Sequence, residues 1–309
     1  EAMNHGEVVE TVAYLTDRIG PRMTNSPGMR VAERWTQDKF KGWGLTNVRT
    51  EGFDFGRGWS IESASVMLES PRRLGLRTIP VAWTPGTPAG GITATLIVAP
   101  MKRPRDFAEW SGKLKGKIVA ISYPRPPADA TKPAFVRMDD KAIGELDEFQ
   151  QPVTASDDGD GWFKFIQFGK QLDEFLAKEG AVGWVRMSYR DNGLLHGEGY
   201  QHRDTPKLPG LELTAEDYRR IARLATQGDV TLTINSQVKF DDSDPNGYNV
   251  LADLPGSDAK AGYVMAGAHL DIWVAADGAA DNGAGSAVVM EAARILAALK
   301  VKPKRTIRF

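Results

Sequence analysis

The sequence predicts an α/β protein with a mixed sheet that carries helices on both faces and is interrupted by a β-rich insertion. Two observations support this prediction. Helical patterns and strand-like apolar runs are combined at both ends of the chain, which is typical of an α/β sheet. Between them, short β-type runs are separated by Pro- and Gly-rich text such as TPGTPAGG. We place the insertion at residues 66–227 and the interrupted domain at residues 1–65 and 228–309.

Helical periodicity and capping signals predict the elements near the N-terminus. Apolar residues recur on one helical face over residues 8–19, which predicts an amphipathic helix. Ser26 directly before Pro27 is typical of an N-cap followed by the first helical residue, so we expect a second helix that extends to about Lys41. Residues 46–55 then have the pattern of a strand.

The middle of the chain is predicted to hold short strands and two helices. The strands are expected at residues 64–68, 92–98, 117–122, 182–187 and 230–234. The helices are expected over residues 162–178 and 215–226, and Thr214 is the predicted N-cap of the second helix. Residues 249–256 then resume the interrupted sheet.

The candidate site lies in the C-terminal part of the chain. Residues 263–268 form an apolar run with the pattern of a strand buried on both faces, and His269 and Asp271 follow where the run stops. Asp281 comes after a Gly- and Ala-rich loop and just before a helical pattern. Because ligands bind outside the carboxyl ends of strands in open α/β sheets, we expect these three side chains to form a site.

The residue types at this site suit zinc, which accepts nitrogen and oxygen ligands. His269 is the candidate ligand, and Asp271, two residues further along an extended segment, points the same way and could hold the imidazole through its other nitrogen. Asp281 could either cap the first helical turn or bridge metal ions. A solvated loop with an Asp cap is the alternative for any lone His-x-Asp pattern.

Composition excludes several classes of function. The 39 basic and 40 acidic residues give a net charge of −1, so there is no basic excess that would neutralise nucleic-acid phosphates. No apolar run approaches the roughly 20 residues that span a membrane. The absence of cysteine excludes disulfides, zinc fingers and thiol nucleophiles.

Several phrases resemble one family of enzymes. GAHLDIW and GAADNGAG, followed by a helix and KPKRTIRF, resemble the zinc-site segment of the co-catalytic di-zinc aminopeptidases, metallopeptidase family 28, and in particular its carboxypeptidase Q group. IGPRMTNSPGMRVAERW and GFDFGRGWSIE resemble the opening of the same proteins. The predicted fold is then a mixed-sheet zinc-peptidase domain, of the phosphorylase/hydrolase-like type. LKGKIVAI, EGAVGWV and LPGLELTAEDYRRI resemble the protease-associated insertion of this family.

The resemblance implies a role for each candidate residue. His269 would be a ligand of one zinc ion, Asp281 the carboxylate that bridges two zinc ions, and Asp271 the catalytic-site residue that orients His269. Two positions depart from the family pattern, since Ile272 stands where many members have Ser and Asn282 where many have a second Asp. Neither position is a metal ligand in the family, so metal binding is still expected.

The resemblance also implies a zinc-dependent exopeptidase, an aminopeptidase or a dipeptidase, that hydrolyses peptide bonds at the ends of short peptides through a metal-activated water. Two zinc ions are the expected cofactors and short peptides the expected partners. A second copy of the chain, or a C-terminal segment that completes the site, is the further partner. We also expect an exported protein, periplasmic or extracellular, whose signal peptide has been removed.

The metal site implied by the resemblance is incomplete in this sequence. In the family, the strand that begins here at Arg305 leads to a Glu-Glu pair, of which one Glu is the general base and the other a zinc ligand. A further Asp and a further His follow, and the 309 residues contain none of these. We therefore expect a piece of a longer protein that is inactive by itself.

Other classes of function stay open. A non-catalytic, receptor-type relative would keep the architecture as a binding domain, although the three candidate residues argue against it. A dinucleotide site fits poorly. The glycine-rich motif for dinucleotides has three glycines, whereas this segment has only Gly283 and Gly285, and Asp281 would repel a pyrophosphate. A purely structural module would have no need for His-x-Asp at a strand end. His196 and His202 flank a loop that could act as a lid over the site, or else have no role.

Overall fold

The computed structural model describes residues 2–128, 131–133, 137–146, 155–200, 203–258 and 260–309, which form two sheets with flanking helices. The helices are α1 (Ala2–His5), α2 (Val8–Ala13), α3 (Pro27–Gly42), α4 (Phe107–Trp110), α5 (Asp140–Leu146), α6 (Ala155–Lys178), α7 (Ala215–Ala225) and α8 (Ala284–Ala298). Of the helices in these ranges, none combines the length and the apolar character that crossing a membrane requires.

Short turns and strands make up the remaining regular structure of these residues. A π-helical turn at Tyr14–Ile19 follows α2, a kinked turn at Ala279–Gly283 precedes α8, and a 3-10 turn at Pro104–Asp106 precedes α4. The strands are β1 (Thr46–Asp54), β2 (Gly58–Ser70), β3 (Leu74–Leu76), β4 (Thr78–Pro80), β5 (Ile92–Val98), β6 (Ile118–Ala120), β7 (Gly183–Met187), β8 (Gly210–Leu213), β9 (Thr231–Asp241), β10 (Asn246–Leu254), β11 (Tyr263–Met265) and β12 (Thr306–Arg308).

The smaller sheet is mixed, as predicted, and has the strand order β1-β10-β12-β11. Its pairs β1–β10 and β10–β12 are antiparallel, and β12–β11 is parallel. Phe40 of α3 and Met290 of α8 share a buried cluster with Ala252 of β10. The next residue of β10, Asp253, points to the opposite face and pairs with Arg308 at 2.8 Å. In the described part of the chain, both core helices therefore lie on one face, and the prediction of helices on both faces is not met there.

Strand β11 differs from the prediction for residues 263–268. The strand covers only Tyr263–Met265, lies at the edge of its sheet, and its side chains are 56%, 45% and 57% exposed instead of buried on both faces. An apolar run indicates that a segment favours burial, but it does not indicate which neighbouring element buries it. Among the described strands, β11 has a single hydrogen-bonded neighbour, β12.

The larger sheet has the strand order β3-β2-β9-β5-β6-β7-β8-β4, in which β5 to β8 are parallel. Consecutive residues of β7 enter different buried clusters. Val185 packs with Tyr218 of α7, whereas Trp184 packs with Leu176 of α6. Because side chains alternate across a strand, α6 and α7 cover opposite faces of the parallel strands.

The larger sheet extends beyond the boundaries predicted for the insertion. Its longest ladder pairs β2 with β9, from Gly58 opposite Asp241 to Ser70 opposite Thr231. This ladder contains residues on the outer side of both predicted boundaries, 66 and 227. The division of the chain into two domains stays a prediction, and the sheet itself runs from Gly58 to Asp241.

Several local predictions agree with the structure and one differs. Strand β5 covers the predicted residues 92–98. Ser26 caps α3, because its hydroxyl oxygen accepts a hydrogen bond from the amide of Met29 at 3.2 Å. Thr214 precedes α7 as predicted, but its hydroxyl donates to the carboxylate of Asp217 and caps no backbone amide.

Asn25 forms hydrogen bonds to both segments through which the chain passes between the two sheets, one between β1 and β2 and the other between β9 and β10. Its side-chain amide donates to the carbonyl of Gly56 at 2.8 Å and to that of Asp244 at 2.9 Å. Arg30 of α3 supports it by donating to the side-chain oxygen of Asn25 and, at 2.6 Å, to the carbonyl of Asn246. Asn25 itself has a left-handed backbone, with φ of 58°, which Asn tolerates better than most residues. The start of α3 therefore positions one sheet relative to the other.

Replacement of Asn25 by alanine is expected to lower the free energy of unfolding by about 2–4 kcal/mol. Two carbonyls lose their donor, and alanine is disfavoured at positive φ. Asn25→Gly keeps the backbone conformation and isolates the hydrogen-bond loss, for which we expect about 1–3 kcal/mol. Urea unfolding of both variants measures the difference. A loss below about 0.5 kcal/mol in Asn25→Ala would contradict this role.

Candidate functional site

The structure brings His269, Asp271 and Asp281 together beyond the carboxyl end of β11. Nδ1 of His269 lies 3.2 Å from Oδ1 of Asp271, and Nε2 of the same ring lies 3.0 Å from Oδ1 of Asp281. The three side chains are 54%, 42% and 82% exposed, respectively. The candidates chosen from the sequence are therefore neighbours, and all three are open to solvent.

Backbone contacts hold His269 between a strand and a helix. The amide of Ala266 donates to the carbonyl of Arg308 at 2.9 Å, which continues the β11–β12 pairing by one residue. The hydroxyl of Ser286, in the first turn of α8, donates to the carbonyl of His269 at 2.9 Å. His269 therefore lies in a short segment that is hydrogen-bonded to β12 on one side and to α8 on the other.

Asp281 lies in the kinked turn Ala279–Gly283 that leads into α8, where the backbone angles of Asp281 and Asn282 are not helical. Gly278, with φ of 66°, begins this turn, and its carbonyl accepts the amide of Gly283 at 2.8 Å. The peptide bond between Asp281 and Asn282 is cis. Oδ1 of Asn282 accepts the amide of Gly285 at 3.2 Å. Asn282 therefore takes the capping position considered for Asp281, and the Asp281 carboxylate contacts His269.

Arg22 holds the loop between the candidate residues. Its side chain is fully buried, and its guanidinium donates to five backbone carbonyls at 2.8–3.4 Å. The acceptors are the carbonyl oxygens of Leu15, Gly20, Leu270, Asp277 and Gly278. Burial lowers the pKa of Arg22, and the negative charges of Asp277 and Asp271 oppose that shift. The guanidinium keeps its charge, since an arginine in a protein is not deprotonated.

Thr24, two residues after Arg22, links this segment of the chain to the imidazole through Asp271. Its hydroxyl donates to Oδ2 of Asp271 at 2.6 Å, while Oδ1 of Asp271 faces Nδ1 of His269. In the backbone, the amide of Ile272 donates to the carbonyl of Arg22 at 3.2 Å. Thr24, Asp271 and His269 therefore form a continuous chain of hydrogen-bonding groups.

Sequence reasoning missed Arg22 and Thr24. Both lie in the phrase IGPRMTNSPG, but Thr24 and Asp271 are 247 positions apart, and Arg22 and Asp277 are 255 positions apart. No local spacing connects such partners. The one available signal was an arginine in an otherwise apolar or small-residue segment between two predicted helices.

A cavity of about 780 Å³ extends from these residues into the junction of the two sheets. Its wall includes His269, Asp271 and Asp281, together with Trp83 and Tyr200. Sites for small molecules commonly have volumes of about 300–1,000 Å³. The candidate site therefore opens into a space of ligand size.

Aromatic rings connect the two sheets along this cavity. Trp273 follows Asp271 by two residues, and its ring lies 6.2 Å from that of Trp83 in an edge-to-face arrangement. The ring of Trp83 lies 6.0 Å from that of Phe55, which follows β1. These residues share a cluster with the buried Met23. Apolar packing thus joins the loop at the site to the larger sheet.

The loop around His196 packs beside the same segment. A Cβ atom added to Gly197 would lie 3.0 Å from a methyl carbon of Val274, so the Gly197 backbone packs directly against the Val274 side chain. The rings of His196 and Trp273 lie 6.4 Å apart, and burial lowers the pKa of His196. His202, the other histidine of the predicted lid, lies outside the described residues. The lid function therefore stays a prediction.

The donor chemistry of His269 and Asp281 fits zinc. Zinc binds nitrogen and oxygen at about 2.0–2.2 Å, so two ligand atoms of a tetrahedral ion lie about 3.3 Å apart. The observed distance between Nε2 and Oδ1 is 3.0 Å. No group of three or more His, Cys, Asp or Glu residues arranged to hold a metal ion occurs in the described ranges. The pair is thus compatible with part of a ligand set.

Comparison with known proteins identifies the relatives of this chain. Residues 249–309, which include the three candidate residues, match the sequence profile of peptidase family M28. Carboxypeptidase Q of Mus musculus is 27% identical over 304 residues, which cover 97% of this chain and 56% of that protein. The crystal structure of a peptidase M28 precursor from Shewanella amazonensis matches with a TM-score of 0.67 and 26% identity, over 99% of this chain and 63% of that chain. The chain is related to peptidase family M28.

The M28 relationship confirms the family resemblance and the mixed α/β fold predicted from the sequence. BSAP, a zinc aminopeptidase from Bacillus subtilis, has a TM-score of 0.60 at 18% identity, over 98% of this chain and 60% of that chain, and so shares the fold. The chain spans 56% of the length of mouse carboxypeptidase Q.

Arg22→Met is expected to lower the free energy of unfolding by roughly 3–5 kcal/mol, because buried carbonyls lose a charged donor. Arg22→Lys keeps a charge but lacks the planar fork and has fewer donors, so an intermediate loss is expected. Urea unfolding, together with amide hydrogen exchange over residues 270–278, measures both effects. Unchanged exchange of that loop in Arg22→Met would show that Arg22 does not hold it.

Proposed function

We propose that this chain belongs to a zinc-dependent exopeptidase, an aminopeptidase or a dipeptidase, that hydrolyses peptide bonds at the ends of short peptides. The observation that carries the proposal is the cluster of His269, Asp271 and Asp281 at the mouth of a ligand-sized cavity, within the segment that matches family M28. The names of two relatives, a carboxypeptidase and a zinc aminopeptidase, support this class. The activity is proposed for the whole protein, because the relatives are longer than this chain.

His269 and Asp281 are the proposed zinc ligands. Nε2 of His269 and the exposed carboxylate of Asp281 face each other, and a carboxylate has two oxygens with which it can bridge two zinc ions. Because a catalytic zinc ion has three protein ligands, the complete site requires ligands besides these two. Bound zinc would polarise a peptide carbonyl and lower the pKa of a coordinated water.

Asp271 is the proposed orienting residue for His269. Its Oδ1 lies 3.2 Å from Nδ1 of the imidazole, and in the tautomer whose Nδ1–H donates to this oxygen the lone pair of Nε2 is left for a metal ion. Thr24 donates to the other carboxylate oxygen at 2.6 Å and so fixes the plane of the carboxylate. In this way Thr24 and Asp271 set the tautomer and the direction of the ring.

We also propose that the larger sheet is a protease-associated insertion in the peptidase domain. The insertion was predicted at residues 66–227, and the ladder from Gly58 to Asp241 supports the wider bounds 58–241. The phrases LKGKIVAI and EGAVGWV, which carry the resemblance, contribute β6 and β7 at the centre of this sheet. The insertion supplies one wall of the cavity at the site.

Short peptides are the proposed substrates, because a cavity of about 780 Å³ accommodates a molecule of dipeptide size. Export to the periplasm or the extracellular space stays part of the proposal on the strength of the resemblance. A second copy of the chain, or a C-terminal segment that completes the metal site, stays the proposed further partner.

The test compares Asp281→Ala with the unmodified full-length protein. Loss of a direct zinc ligand is expected to remove tightly bound zinc and to lower dipeptide hydrolysis by at least about 100-fold, more than the loss of an outer partner costs. Asp38→Ala, which removes an exposed carboxylate on α3, is the control. Metal analysis and kinetics measure both properties.

Two outcomes would overturn the assignment. If Asp281→Ala kept its zinc and its activity, Asp281 would not be a ligand. If the unmodified full-length protein bound no zinc and cleaved no peptide, the alternative would gain support, namely a non-catalytic peptidase-like domain that acts in binding or as a receptor.

Thr24→Val is expected to weaken zinc binding by up to about 10-fold, less than the 10–100-fold typical when the direct partner of a ligand is removed. Valine has the same shape but no hydroxyl to orient Asp271. Thr24→Ser keeps the hydroxyl and should restore the affinity. Zinc titration and the ¹⁵N chemical shifts of the His269 ring measure the two effects. Equal ring shifts in all three proteins would contradict the orienting role.

A further inference from the structure

We propose that Ser286 is a positioning residue that sets the distance between His269 and Asp281. It does so by joining helix α8, which begins three residues after Asp281, to the backbone of His269. The inference rests on the proposed function, in which both side chains bind zinc. It is carried by one hydrogen bond, which the hydroxyl of Ser286 donates to the carbonyl of His269 at 2.9 Å.

The segment around His269 depends on side chains for its position. Residues 266–273 belong to neither a helix nor a strand, so no ladder of backbone hydrogen bonds defines the direction of His269. Instead, two consecutive carbonyls are held by distant side chains. Ser286 binds the carbonyl of His269, and Arg22 binds that of Leu270 at 3.0 Å. Because a peptide group is planar, these contacts orient the backbone from which the imidazole extends.

The first turn of α8 is also packed against the residues that hold Asp281. The side-chain oxygen of Asn282, the next residue, accepts the amide of Gly285 at 3.2 Å. A Cβ atom at Gly285 would lie only 2.2 Å from that oxygen, so only glycine permits such a close approach. Ser286 follows Gly285 directly. A displacement of this first turn would therefore move Asp281 and the hydrogen-bond donor of His269 together.

Ser286 acts on a different part of His269 from Asp271. Asp271 lies 3.2 Å from Nδ1 and so restrains the rotation of the ring, whereas Ser286, which is 5% exposed, holds the backbone carbonyl. Rotation of the ring alone cannot compensate for a displaced backbone. Both contacts are therefore needed to place Nε2 of His269 3.0 Å from Oδ1 of Asp281.

The positioning role implies that the Ser286 contact and a bound zinc ion strengthen each other. Loss of a residue that orients a metal ligand typically lowers metal affinity 10–100-fold, and we expect about 10-fold for Ser286 because the other contacts of His269 are kept. By thermodynamic linkage, bound zinc then strengthens the Ser286 contact by the same factor. A contact that supports the fold alone has the same strength with and without zinc.

The experiment compares Ser286→Ala with the unmodified full-length protein. Competition titration with zinc should show an affinity that is about 10-fold weaker. Urea unfolding should show that the substitution costs more stability in saturating zinc than in a chelator. The expected difference is about 1.4 kcal/mol, which is the 10-fold change in affinity converted to free energy. Neither measurement depends on peptide hydrolysis.

Two variants are the matched controls. Ser236→Ala, in β9 of the larger sheet, removes a buried hydroxyl that has no hydrogen-bond partner among the described residues. Ala293→Gly weakens α8 away from its first turn, because glycine is unfavourable in the interior of a helix. Both variants should keep the zinc affinity of the unmodified protein.

Three results would overturn the positioning role. They are an unchanged zinc affinity in Ser286→Ala, an equal loss of stability with and without zinc, and an equal loss of affinity in Ala293→Gly, since the helix as a whole would then be responsible.

Absence of zinc binding in the unmodified full-length protein would overturn the proposed function and leave Ser286 to be tested by itself. The nuclear Overhauser effect between the ring of His269 and the β protons of Asp281 reports their separation without metal. A weaker effect in Ser286→Ala than in Ala293→Gly supports the role of Ser286, whereas an equal effect overturns it.

Discussion

The buried guanidinium of Arg22 is the contact on which the arrangement of the site depends. It binds carbonyls near the end of the first helical segment and carbonyls of the loop between Leu270 and Gly278. His269 and Asp281 flank this loop, so their separation is set by a residue that touches neither of them. Removing a guanidinium from water is costly, and the five acceptors offset that cost. An arginine suits this position because it offers several donors in one plane.

The two sheets contribute different chemistry to one cavity. The smaller sheet and the loops that follow it provide the imidazole and the carboxylates, which are polar and open to solvent. The larger sheet and its connections provide tryptophan and tyrosine rings. Residues of both sheets line this cavity, and Asn25 and Arg30 brace the segments that cross between the sheets. A site built at such a junction depends on the relative position of two units.

The parts of the structure that depend on neighbouring residues could be predicted from the sequence, and those that depend on distant ones could not. His269 and Asp271 were found because they end an apolar run, and Asp281 because it precedes a helix. Thr24 was not found, because its link to Asp271 crosses 247 positions. The exposure of β11 and the full length of β2 and β9 were missed for the same reason, since each is decided by which strand lies alongside.

The pairing of β2 with β9 also bears on the order in which the chain folds. Arg57 and Asp242 form an ion pair just outside this ladder, although they are 185 positions apart. Once the ladder has formed, the entropic cost of closing that long loop no longer opposes further strand pairing. Strands β1 and β10 then meet as if a tight turn joined them, even though Asn47 and Asp253 are 206 positions apart. If the larger sheet forms first, the pairing of β1 with β10 becomes a local step, which loop-closure entropy opposes less than a pairing across about 200 positions.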